Sequence, residues 1–82
     1  MERNVTEILT AATDSVSLIN GVDAGTWSVE GMEQSEINDM VQRNVDHLEI
    51  ILAYEEVVAD ESDKSSYTDA ISTGNAYIEA NS

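Results

Sequence analysis

The chain has 82 residues and a formal charge of −14, from three Lys or Arg against seventeen Asp or Glu, and it contains no Cys, Pro or Phe. That length supports one domain with one core, and without Cys no disulfide, thiolate metal site or thiol nucleophile is available, so stability rests on packing. Three scattered cations (Arg3, Arg43, Lys64) cannot neutralise a row of phosphates, which argues against direct contact with nucleic acid or an anionic membrane. No apolar run approaches the roughly 18 residues of a membrane span, and the first residues lack a basic-then-apolar signal pattern.

The first helix is expected over residues 4–20. Asn4 followed by Glu7 fits an N-cap with a carboxylate in the first turn. Val5, Ile8, Leu9, Ala12, Val16 and Ile19 form its apolar stripe. Thr6, Thr10, Thr13, Ser15 and Ser17 fill much of the polar face, and Asn20-Gly21 ends the helix with Gly21 in the left-handed position. Residues 21–34 then form a loop punctuated by Gly21, Gly25 and Gly31. Its own hydrophobes, Trp27, Val29 and Met32, are expected to fold back over one end of the molecule. Trp27 is alternatively an anchor for a partner, a role in which Trp is common.

The central helix is expected over residues 35–59, capped by Ser35, and to be the longest of three. Ile37, Val41, Asn44, Leu48, Ile51, Glu55 and Val58 follow a heptad-like 4–3 alternation. Asn44 inside this seam reads either as a satisfied buried amide or as a polar residue that sets the register of a helix pair. A second seam comprises Arg43, His47, Ile50, Tyr54 and Val57, about 120° further round. It serves either a wide arc facing two neighbours or a contact between subunits.

Residues 60–64 read as a turn. It makes no calcium loop, because Ser65 stands where the loop needs Gly and Lys64 where it needs a ligand. The last helix is expected over residues 66–80, with Ser66 and Asp69 as a capping box. Gly74 within the stripe of Tyr67, Ala70, Ile71, Tyr77 and Ile78 costs about 1 kcal/mol relative to Ala, and so marks either a close helix–helix approach or an early end to the helix. The reading is a single all-α domain, a small three-helix bundle with a long central helix, up-down by default, although the long first connection also permits a crossover. Its expected core is Val5, Ile8, Leu9, Val16, Ile37, Val41, Leu48, Ile51, Leu52, Ile71 and Ile78.

Signatures of catalysis are missing. His47 is the sole histidine, and the residue three before it is Asn44, not the Glu of a di-metal bundle motif. No glycine run followed by Lys forms a phosphate loop. The expectation is no catalytic residue, no cofactor and no metal, with His47 on a surface or an interface.

Two passages, Arg43–Ala53 (RNVDHLEIILA) and Ala70–Ile78 (AISTGNAYI), resemble short uncharacterised helical proteins encoded by tailed bacteriophages. The resemblance implies a phage gene product made in the host cytoplasm and carried in the virion. With it, the expected function is a non-enzymatic assembly subunit of a capsid, neck or tail. Its partners would be other protein subunits, in a homo-oligomer or a larger virion assembly, met through Trp27, Arg43, Asn44, His47, Ile50, Tyr54 and Val57. The rival expectation is an acidic inhibitor or DNA mimic that occupies the basic groove of a host nucleic-acid enzyme.

Overall fold

The apolar stripes fold as helices in a computed structural model that describes residues 5–54 and 60–82. The helices are α1 (Val5–Ala24), α2 (Gln34–Leu52) and α3 (Glu61–Ala80), each packed against the other two. The chain is a small all-α three-helix bundle.

Local chemistry moves several boundaries from their expected places. α1 runs past Asn20 to Ala24 because Gly25, at φ 79°, takes the left-handed position expected of Gly21. The Thr26 N–H donates to the Gly21 carbonyl at 2.9 Å and the Gly25 N–H to that of Val22 at 3.2 Å, the paired bonds that close a helix at such a glycine. Gly21 has a different use. A Cβ there would lie 3.1 Å from the Cβ of Trp27, so its bareness lets the loop fold tightly over the last turn. The expected cap Asn4 lies outside the described residues.

α2 starts at Gln34, with Glu33 as its cap, so Ser35 sits within the first turn. The Glu36 carboxylate accepts the Glu33 N–H at 3.1 Å. At 19 residues the central helix is not the longest, since α1 and α3 have 20 each. It ends at Leu52 rather than at 59, in a tightened turn where the Tyr54 N–H reaches the Ile51 carbonyl at 3.0 Å. No Gly or Pro stops it. Residues 55–59, which include Glu55, Val57 and Val58 of the two expected seams, lie outside the described residues.

α3 starts early, at Glu61 rather than 66. Acidic side chains suit the positive end of a helix, and Asp60, Glu61 and Asp63 cluster there. The Asp60 carboxylate accepts the N–H groups of Ser62 and Asp63 at 2.8 and 3.3 Å and the Ser62 hydroxyl at 2.6 Å. The expected turn at 60–64 is therefore the cap and first turn, with Ser66 inside the helix. These bonds, the Ser62 hydroxyl foremost, hold the Asp60 carboxyl below its ordinary 3.8. A depressed folded-state pKa contributes stability above the unfolded value that is lost as pH falls through the folded one. The first turn of α3 is thus expected to fray below about pH 3.8, seen as faster amide exchange at Ser62 and Asp63. Asp60→Ala should fray it at every pH, whereas Asp60→Asn, which still caps, should remove the pH dependence. Protection unchanged in Asp60→Ala would show that the cap does not hold this turn.

Contacts between helices set the topology. Ser15 of α1 reaches Asn44 and His47 of α2. Ile19, further along α1, meets the level of Val41 and Val45 at Gly74 of α3. At the far end Gln34 donates to the Tyr77 hydroxyl at 3.0 Å and Asn38 to the Asn81 carbonyl at 3.1 Å. α2 is therefore antiparallel to both neighbours, an up-down-up bundle. Ala12, Ile19 and Val22 of α1, Ile37, Val41, Val45, Leu48 and Ile51 of α2, and Tyr67 and Ala70 of α3 form the buried core. Ile8, Leu9, Val16, Leu52, Ile71 and Ile78 pack partly buried against it. Val45, not Asn44, occupies the middle of the α2 seam, because the inward positions run at spacings of 4, 4, 3 and 3. Gly74 does mark the expected close approach: a Cβ there would stand 2.5 Å from Val45 Cγ2 and 3.3 Å from Ile19 Cγ2.

Candidate interaction surface

Two features rise above the packed core, one polar and inward, one apolar and outward. The first joins Ser15, Asn44 and His47 where α1 meets α2. Ser15 is the one buried polar residue among those described, at 3% exposure. Its position is dictated by spacing: Ile8, Ala12, Ser15, Ile19 and Val22 recur at 4, 3, 4 and 3, so Ser15 holds a seam position rather than the polar face expected for it. The Asn44 amide donates to the Met40 carbonyl at 2.8 Å, which turns Oδ1 toward α1. The Ser15 hydroxyl donates to that Oδ1 at 2.9 Å. His47 Nδ1 stands 3.0 Å from the same hydroxyl oxygen.

Proton accounting decides what this cluster can do. A hydroxyl has one hydrogen, and Ser15 gives it to Asn44, so the contact with His47 requires Nδ1–H as donor. In that arrangement the His47 ring donates to the Ser15 oxygen, which depends on the tautomer with its proton on Nδ1. Asn44 is thus a satisfied, partly buried amide, the first of the two readings open to it in the sequence. No buried side-chain nitrogen or oxygen among the described residues is left without a partner.

The outward feature lies on the solvent-facing flank of α2 that adjoins this cluster. Ile50 and Tyr54 are 57% and 58% exposed, at the end of α2 and just beyond it. Arg43, earlier on the same face, is exposed, and His47 is half-buried. Four of the second-seam residues thus share one flank of α2, while Val57 lies outside the described residues. Trp27, 41% exposed, is not among them. It belongs to the loop before α2, at the opposite end of the bundle, where Val29 and Met32 pack against the core as expected. A shallow depression of about 320 Å³ lined by Leu9, Thr10, Thr13 and Asp14 lies along α1 alone.

Charge surrounds these features on every side. Described carboxylates stand on all three helices and the loop, and an ion pair between described residues, Lys64 to Glu61 at 3.6 Å, is a solvent-facing contact worth little. Burial, then the Asp63 charge, pushes the Tyr67 hydroxyl above its ordinary 10.0, so it stays protonated within the core. Among the described residues no group of three or more His, Cys, Asp or Glu could hold a metal ion, and no helix is long and apolar enough to cross a membrane. Compared with protein-family models, curated proteins and solved structures, the chain matches none.

Proposed function

We propose that the protein is a non-enzymatic structural or assembly subunit that works through helix–helix contact at the Ile50–Tyr54 flank of α2. The observation that carries this reading is the exposure of two large apolar side chains, Ile50 and Tyr54, beside a core that closes without them. Scattered exposed hydrophobes need no explanation, but two adjacent on one face supply the kind of anchor that interfaces use. The donor chain through Ser15 supports a non-catalytic role, because it places the only histidine as a donor to a buried hydroxyl. The resemblance to phage helical proteins supports a place in a virion, within a homo-oligomer or a larger assembly. The acidic-inhibitor reading draws less support, since the carboxylates are distributed over all three helices rather than aligned in one row.

The test is a photo-crosslinking residue placed at position 54 in the protein expressed in its host. A discrete adduct is expected there and not from the same residue placed at exposed Glu79. Ile50→Asp should abolish the adduct while leaving helicity and melting temperature unchanged. Adducts equal at both positions, or none at 54, would overturn the assignment of this flank.

A further inference from the structure

We propose that the outer seam between α1 and α2 receives an amphipathic helix from a basic partner protein. This rests on the Ile50–Tyr54 reading and adds the chemistry of what covers it. In the antiparallel pairing of α1 and α2, Ser15 stands level with Asn44 and His47, so Leu18 falls near residues 41–44, within a turn of Met40, and the seam runs on toward Ile50 and Tyr54 at the other end. Leu18 and Met40 are only partly buried against the core, and Ile50 and Tyr54 are more than half exposed. Apolar side chains therefore stand at both ends of the outer seam, Leu18 and Met40 at one and Ile50 and Tyr54 at the other, with Arg43 and His47 between them. On their other side the same pair already accepts a helix, α3, through Ala70 and Gly74. A second helix can lie in the outer seam by the same ridge-and-groove geometry.

Charge selects the kind of helix. By helical spacing, Asp14 borders the seam on α1, and Asp39 and Asp46 border it on α2; all three are exposed. Arg43 is the single described cation on this face, and Asp39 and Asp46 flank it at four and three residues, so the border remains negative. A second copy would bring an identical negative border, on a molecule of charge −14, against this one. A helix whose apolar stripe is flanked by Lys or Arg meets complementary charge along both edges.

The experiment is an NMR titration of the full chain with three synthetic peptides of about 18 residues, roughly five helical turns. One carries Leu at helical spacing flanked by Lys, one has Glu for every Lys, and one has the first peptide's composition in scrambled order. The Leu–Lys peptide is expected to bind and to shift the signals of Leu18, Met40, Ile50 and Tyr54. Ile50→Ser should weaken it roughly tenfold or more, and Asp39→Lys with Asp46→Lys should weaken it and flatten its salt dependence. Equal binding of the scrambled peptide, or shifts elsewhere on the molecule, would overturn the proposal by showing charge attraction without a seam. Light scattering on the protein alone separates the two levels. An oligomer dispersed by Ile50→Ser would overturn the basic partner yet leave the contact role of this flank standing. A monomer that binds no peptide overturns the inference, and the contact role falls with it only if the crosslink at position 54 is also missing.

Discussion

Gly74→Ala is expected to destabilise the bundle by about 1–3 kcal/mol, although the same change in an open helix would stabilise it by about 1 kcal/mol. The sign turns on space. A Cβ at this position would meet Val45 Cγ2 at 2.5 Å, with Ile19 Cγ2 and Val41 Cγ1 both at 3.3 Å. Val41, Val45 and Ile19 are fully buried, so they cannot swing into solvent to make room. A chain of this length has a total stability of about 4–12 kcal/mol, and each kcal/mol moves the midpoint by about 4–8 °C. Thermal unfolding followed by circular dichroism should therefore show a fall well outside error. Val45→Ala frees the space, so the double variant should lose less than the sum of the two single losses. A higher melting temperature for Gly74→Ala would mean that α3 does not approach α2 this closely.

Ser15→Ala is the second large expectation, again a loss of about 1–3 kcal/mol. Removing one hydroxyl strips Asn44 Oδ1 of its donor and His47 Nδ1–H of its acceptor at once. Both side chains are only partly buried, so water recovers part of the loss at their outer edges. Denaturant unfolding of Ser15→Ala, His47→Ala and the double variant should reveal a favourable coupling between the two positions. The nitrogen chemical shifts of His47 give an independent check, because the donor chain requires a proton on Nδ1. A neutral ring protonated only on Nε2 would reverse the direction of that hydrogen bond and reopen the question of what Ser15 can do.

Much of the fold was legible because helical spacing is a local property of the sequence. Ile37, Val41, Leu48 and Ile51 could be placed inward from their intervals, and Gly74 could be read as a contact from its cost. Boundaries were less accessible, since they depend on competition among nearby groups. Gly21 and Gly25 both suited the end of α1, and the helix closes at Gly25, with Trp27 packed on the bare Gly21. Asp60 and Ser66 both suited the start of α3, and the carboxylates around Asp60 favour the earlier one. A strict 4–3 alternation selected Asn44 over Val45, whereas the real seam shifts by one residue to keep the larger apolar group inside. Ser15 was overlooked for the opposite reason. Its chemistry suggested a surface, while its interval from Ala12 and Ile19 already placed it within the seam. The outward flank was legible in part: Arg43, His47, Ile50 and Tyr54 share it, whereas Trp27 is separated from it by nearly the length of α2, a distance that no residue spacing records.

The up-down-up course of the helices has a practical consequence for any fusion or label. The start of α1 and the end of α2 lie at the same end of the bundle, whereas the end of α3 lies beside the start of α2. A bulky group attached at the start of α1 would stand at the same end of the bundle as Ile50 and Tyr54. The same group joined after Asn81 would stand beside Gln34 and Asn38, leaving that flank open. Attachment at the two ends is therefore not equivalent, and comparing them is itself a coarse map of which end of the molecule meets its partner.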